Sequence, residues 1–149
     1  MYFLFHLKTL CYYRLRARKG KHAHSPFVYN LSLAVFDKKT PPPDNPYHFG
    51  DDKYGRLLAK IADYIKSEMT IINLPPNPNS AYRYFEETVK YSDNNSIVIV
   101  RDIYHSPETA MVWEKIKAHP KTTVTFDLFK MGIVFFRRES SKENFVIKY

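Results

Sequence analysis

The sequence predicts an α/β fold with helices at the N-terminus, a mixed sheet and an antiparallel C-terminal hairpin. Three observations carry this. Residues 96–100, "SIVIV", are a continuous apolar run ending in charge at Arg101-Asp102, the pattern of a strand buried on both faces of a sheet. Leu57, Leu58, Ile61 and Ile65 recur at helical spacing, with Arg56, Lys60, Asp63 and Lys66 opposite them. Along the chain the elements read α-α-α-β-α-β-α-β-β-β, and alternating helices and strands build a layered α/β domain.

Taken in order, residues 2–18 and 26–36 read as helices. "DKKTPPPDNPYHFGDD" is too rich in proline to continue the second one. The third helix starts at Tyr54. "TIINL" (70–74) is a short strand stopped by "PPNPN", and a helix follows over 80–91 with Ala81, Tyr84, Phe85, Thr88 and Val89 inward. After "SIVIV" comes a helix opened by Ser106-Pro107, with Ala110, Met111, Trp113 and Ile116 as its apolar set. "TTVTFDLF" alternates and reads as a strand exposed on one face. Gly132 reads as a turn before "IVFF", a strand buried on both sides, and "NFVIKY" is a last alternating strand. The expected organisation is one domain over 1–149. It comprises a basic aromatic helical segment (1–39), a Pro-rich linker (40–53) and an α/β core (54–149).

Charge is unevenly placed. Residues 1–39 hold eight Lys or Arg against one acid, Asp37, so they carry +7 of the net +8. Arg14, Arg16, Arg18, Lys19 and Lys21, interleaved with tyrosines, form a segment suited to phosphates or anionic lipid, although no reading motif for nucleic acid accompanies it. Cys11 is the single cysteine, which excludes an internal disulfide framework and suits a reducing compartment. "MYFLFHLKTLCYY" is interrupted by His6 and Lys8 and is too short to span a bilayer, and its basic run follows rather than precedes the apolar stretch, unlike a secretion signal. A cytoplasmic location without a transmembrane segment is expected.

His-Ser-Pro occurs twice, at 24–26 and 105–107. A histidine beside a serine suggests a nucleophile and its base, but catalytic Ser–His pairs are defined by geometry, not adjacency. Both copies fit helix starts better: the Ser hydroxyl accepts from first-turn N–H groups, and Pro loses nothing at the next position. That reading leaves His24 and His105 without an assigned role.

The stretch "NSAYRYFEETVKYSDNNSIVIVRDIYHSPETAMVWEKIKAHPKTTVTFDLFKMGIVFFRR" resembles the C-terminal half of a bacterial class I S-adenosylmethionine-dependent methyltransferase family of the O-methyltransferase type. The shared features are a strand ending in an Asp-Ile-His/Tyr-x-Ser turn, a Trp-containing helix, and a hairpin with an Asp-Leu-Phe-x-x-Gly turn; "HSPFVYNL" resembles the family's N-terminal signature. The resemblance implies a partial Rossmann-like sheet of about four to five mixed strands, in which the family's fourth, fifth, seventh and sixth strands lie in that spatial order.

The resemblance also exposes what is missing. The family's first strand runs into a Gly-rich loop, because only backbone without Cβ can approach the cofactor so closely. Here the glycines are Gly20, Gly50, Gly55 and Gly132, and no two share a short loop after a strand. The Tyr54 helix passes directly into "TIINL", which aligns with the family's fourth strand, a loss of about 60–90 residues at roughly 30 per βαβ unit. The resemblance places Asp102 and His105 as remnants of the catalytic pocket, and His24 and Asn73 on the acceptor side. Asn73 stands where the family has an acid, and Arg101 sits beside Asp102, so no metal site is expected.

The resulting expectation is a truncated, catalytically inactive methyltransferase-like module that serves structure or binding. It needs no cofactor, S-adenosylmethionine being implied by resemblance alone. The lost strands leave "TIINL" as an edge to be covered either by the aromatic N-terminal helix or by a second copy; the homodimer is the expectation, because extending the sheet satisfies the backbone directly. One alternative is an active methyltransferase with a rebuilt or dimer-shared cofactor site. The other is a basic adaptor whose residues 1–39 make a weak contact with nucleic acid or anionic membrane.

Overall fold

The computed structural model describes residues 2–17, 26–36, 49–50, 52–67 and 69–149. Its elements are α1 (Phe3–Arg16), α2 (Pro26–Val35), α3 (Lys53–Ile65), β1 (Met69–Asn73), α4 (Pro78–Lys90), β2 (Ile97–Arg101), α5 (Pro107–Ala118), β3 (Val124–Asp127), β4 (Met131–Phe135) and β5 (Glu143–Val146). They fall into two compact units. One holds α1 and residues 69–148, and the other holds α2, α3 and Tyr149.

In the second unit, α3 starts where the Asp52 carboxylate accepts from Gly55 N–H (2.8 Å) and ends at Lys66 in the left-handed region (φ 53°). Its predicted apolar face is largely the buried one: Leu57, Leu58 and Ile61 are enclosed, as are Val28, Leu31 and Val35 of α2. The Tyr149 hydroxyl donates to the Lys53 carbonyl (2.8 Å), and its ring lies 5.9 Å from those of Phe36 and Tyr54.

The first unit is built on a five-stranded sheet in the order β1-β2-β4-β3-β5. β1 and β2 are parallel, β4 runs antiparallel between β2 and β3, and β5 pairs parallel with β3. The order expected from the resemblance, with the last strand of the hairpin inserted beside β2, is therefore present, and β1 is an edge of this sheet. All strands but β4 point the same way, so Asn73, Arg101, Asp127 and Val146 end at one rim.

Alternation sorts the side chains. Val98, Val100 and Val134 point to the face where Phe85 and Val89 of α4 and Val112, Trp113 and Ile116 of α5 complete a buried cluster. Ile97, Ile99, Ile133 and Phe135 are buried on the opposite face.

Several inward assignments need correction. Tyr84 is 55% exposed and Met111 64% exposed, because the buried stripes run through Ala81, Phe85 and Val89 in α4 and through Thr109, Val112, Trp113 and Ile116 in α5. β3 is buried on both faces rather than one. It lies inside the sheet, where Thr125 donates to Asn144 Oδ1 (2.7 Å), so its polar residues are satisfied without solvent.

Gly132 is not in a turn. It lies within β4, opposite Val100 and Asp127, and the turn itself is at 128–130. A Cβ on Gly132 would fall 2.6 Å from Trp113 Cζ3, 2.7 Å from Cζ2, and closer still to Cη2. The glycine is the hole into which the indole fits.

Ser106 caps α5. Its hydroxyl accepts from Thr109 N–H (3.2 Å) while Thr109 Oγ1 accepts from Ser106 N–H (2.9 Å), a reciprocal capping box with Pro107 and Glu108 in the first turn. Ser106→Ala should cost about 1 kcal/mol, read as a fall in melting temperature of roughly 2–4 °C. Ser25, the other predicted cap, lies outside the described residues, although α2 does begin at Pro26.

Candidate functional site

In a sheet of parallel strands the usual ligand crevice is the rim at the strands' carboxyl ends. Here α1 lies over that rim. His6 meets the ring of His105, which follows β2, edge-on at 6.5 Å. Further along, the Tyr13 hydroxyl donates to the carbonyl of Ile147, just past β5, and the Tyr13 ring lies 5.4 Å from that of Phe129 in the β3–β4 turn.

Beneath α1 two turns are fastened to each other. Asp102 follows β2 in the left-handed region (φ 57°); its N–H donates to the Lys130 carbonyl (2.9 Å), and its own carbonyl accepts from His105 N–H (3.1 Å). Ile103 is fully buried. The next residue, Tyr104, donates its phenol proton to the Asp127 carboxyl at the end of β3. The other Asp127 oxygen accepts from Phe129 N–H (2.9 Å), which holds Phe129 in the left-handed region (φ 67°) and its ring 5.6 Å from that of Tyr104.

Trp113 completes the arrangement. Its ring lies on Gly132, the residue paired with Asp127 across the sheet, and this turns the indole N–H toward the Tyr104–Asp127 pair. That N–H is buried and makes no hydrogen bond of normal geometry.

Burial dominates the electrostatics. Desolvation pushes the Asp127 carboxyl above the ordinary carboxylate range, although the bonds from Tyr104 and Phe129 pull the other way. Burial, reinforced by the neighbouring Asp127 charge, pushes the Tyr104 phenol far up, so it remains a proton donor at any physiological pH. The pair borders a cleft of about 320 Å³ between α1 and α5, lined also by Tyr12, Tyr13, Arg16, Glu114 and Lys117. All three of these charges already have partners: Lys117 pairs with Glu114 (2.6 Å), and the Arg16 guanidinium lies over the Tyr12 ring (5.1 Å) and bonds its hydroxyl.

The structure brings some of the sequence-predicted residues together. Asp102 and His105 share one exposed turn, and Asn73 is exposed on the neighbouring strand end, opposite Arg101. Arg14 and Arg16 lie exposed on α1. His24, Arg18, Lys19 and Lys21 fall outside the described residues.

Tyr104, Asp127 and Trp113 were not singled out as site residues, yet the signal was present. They are the Tyr, Asp and Trp of the quoted motifs, which here are engaged with each other.

Among the described residues no three of His, Cys, Asp and Glu converge as a metal site would require. None of the described glycines forms a loop after a parallel strand: Gly50 precedes the N-cap of α3, Gly55 lies in its first turn, and Gly132 lies under Trp113. These residues do not fit the close backbone cradle that S-adenosylmethionine takes in the family resembled. Comparisons with protein-family models, curated proteins and solved structures find no match to this chain.

Proposed function

We propose that this chain is a truncated methyltransferase-like module that binds without catalysing methyl transfer. One observation carries the reading: the motif residues that resemble the methyltransferase family are occupied by one another, Tyr104 with Asp127 and Trp113 with Gly132, beneath a helix that lies over the rim where a ligand would enter. The strand order β1-β2-β4-β3 supports descent from that sheet, and the edge position of β1 supports loss of the cofactor-binding half. Asp102 and His105 are then remnants of a pocket, in a cytoplasmic protein that has no bound cofactor to use them.

The test is thermal. Ligand at about 100 times its dissociation constant stabilises a fold by about 2.7 kcal/mol, or roughly 5–10 °C for a domain of this size. Millimolar S-adenosylmethionine should leave the melting temperature within about 1 °C of an adenosine control. A shift of the full size would restore the alternative of an active enzyme with a rebuilt or dimer-shared site.

The same reading includes a homodimer formed by β1 edges, since extending the sheet satisfies strand N–H and C=O groups directly. Light scattering should then give twice the 17.7 kDa chain mass. A monomer at high concentration rejects the dimer and leaves the binding-module reading standing.

A further inference from the structure

We propose that α1 attaches the protein to an anionic lipid surface, lying in the plane of the interface on its outward face. Tyr13 and His6 hold one side of the helix against the rest of the first unit. The other side carries Leu4, Leu7, Cys11 and Leu15, spaced three and four residues apart in a single stripe with Phe3 at its margin. These large side chains face water: Phe3 is 75% exposed, Leu4 77%, Leu7 49% and Leu15 87%. No residue of α1 is buried. Exposed apolar side chains lined up along one face mark an interaction surface, unlike the scattered ones normal on any protein.

Charge selects the occupant. Lys8 borders the stripe on one flank and Arg14 on the other, and α1 contains no Asp or Glu. Leucines between cations match a membrane interface, where the apolar side chains enter the acyl boundary and the long basic ones reach up to phosphate headgroups. At ~1.5 Å per residue the helix is about 21 Å long, well short of a bilayer's hydrocarbon core, so it lies along the surface rather than across it. No helix among the described residues is long and apolar enough to cross a membrane.

A second copy of α1 fits the stripe poorly, because Lys8 and Arg14 would meet their own kind with no acid on the helix to pair them. Nucleic acid also fits poorly, because leucine offers nothing to a phosphate backbone at the centre of the face. The inference is independent of whether the sheet ever held a cofactor.

Cys11, the single cysteine, is exposed on this face and provides the probe site. The full chain carrying an environment-sensitive fluorophore on Cys11 should blue-shift with vesicles of phosphatidylcholine containing about 30 mol% phosphatidylglycerol, and should not respond to phosphatidylcholine alone. Lys8→Gln with Arg14→Gln should weaken binding about 25-fold, at roughly 5-fold per cation lost. Leu7→Glu with Leu15→Glu should abolish co-sedimentation and leave the melting temperature within about 1 °C of the parent, since both positions face solvent. Three results would overturn the proposal: a silent probe, equal association with neutral vesicles, or duplex-DNA binding that survives the two Glu substitutions while vesicle binding is absent.

Discussion

Replacing Gly132 with alanine should lower the melting temperature by about 6–12 °C, the consequence of some 3 kcal/mol of overpacking. The new methyl has no room. It would meet the Trp113 ring at 2.6–2.7 Å on two carbons, and that ring is wholly buried between α5 and the sheet. Gly132 is paired with Val100 on one side and Asp127 on the other, so its backbone has little freedom to retreat. Trp113→Phe alone should also destabilise, by leaving a cavity. Combined with Gly132→Ala it should cost less than the sum of the two, because the smaller ring makes room for the methyl. Additive losses in chemical denaturation would show that the indole does not occupy the space over Gly132.

Tyr104→Phe should destabilise by about 1.5–3 kcal/mol at pH 7, the range for a hydrogen bond to a charged group, and by less as the pH falls. Asp127 has its folded pKa raised above the ordinary carboxylate value by burial. A carboxyl shifted in that direction contributes most to stability below its unfolded pKa, and the contribution is lost as pH rises through the unfolded value toward the folded one. The Tyr104 bond opposes the shift, so its removal raises the Asp127 pKa further and enlarges the loss at neutral pH. Below Asp127's titration the variant loses only a neutral bond, about 0.5–1.5 kcal/mol. Asp127→Asn, neutral at every pH, should by the same sign melt above Tyr104→Phe at pH 7, with the gap narrowing toward acid. Denaturant titrations of both variants from pH 4 to 7 check this. A Tyr104→Phe loss that stays constant over the range would mean Asp127 is not titrating as a buried group.

The helices and strands were legible where a periodic apolar pattern met an ordinary terminator. Leu57, Leu58 and Ile61 marked the buried face of α3, and "SIVIV" marked β2 as buried throughout. The strand order followed from the resemblance, because no local pattern says that β4 inserts between β2 and β3.

What local reasoning missed was tertiary. A glycine after a strand suggests a turn, but Gly132 answers to a tryptophan nineteen positions earlier. Alternation suggested an exposed face on β3, but Thr125 and Asp127 are buried because partners from β5 and the Tyr104 turn reach them. The outward stripe of α1 was harder still: only the packing of Tyr13 and His6 shows which face is turned to the protein.

The most direct test of the central claim is equilibrium dialysis of the purified chain against radiolabelled S-adenosylmethionine, with S-adenosylhomocysteine as competitor. With no glycine cradle after a parallel strand among the described residues and α1 over the rim, the expected result is equal label on both sides at concentrations up to about 1 mM, the weak limit of specific binding. Saturable retention near one cofactor per chain, displaced by the competitor, would contradict the assignment as a non-catalytic module.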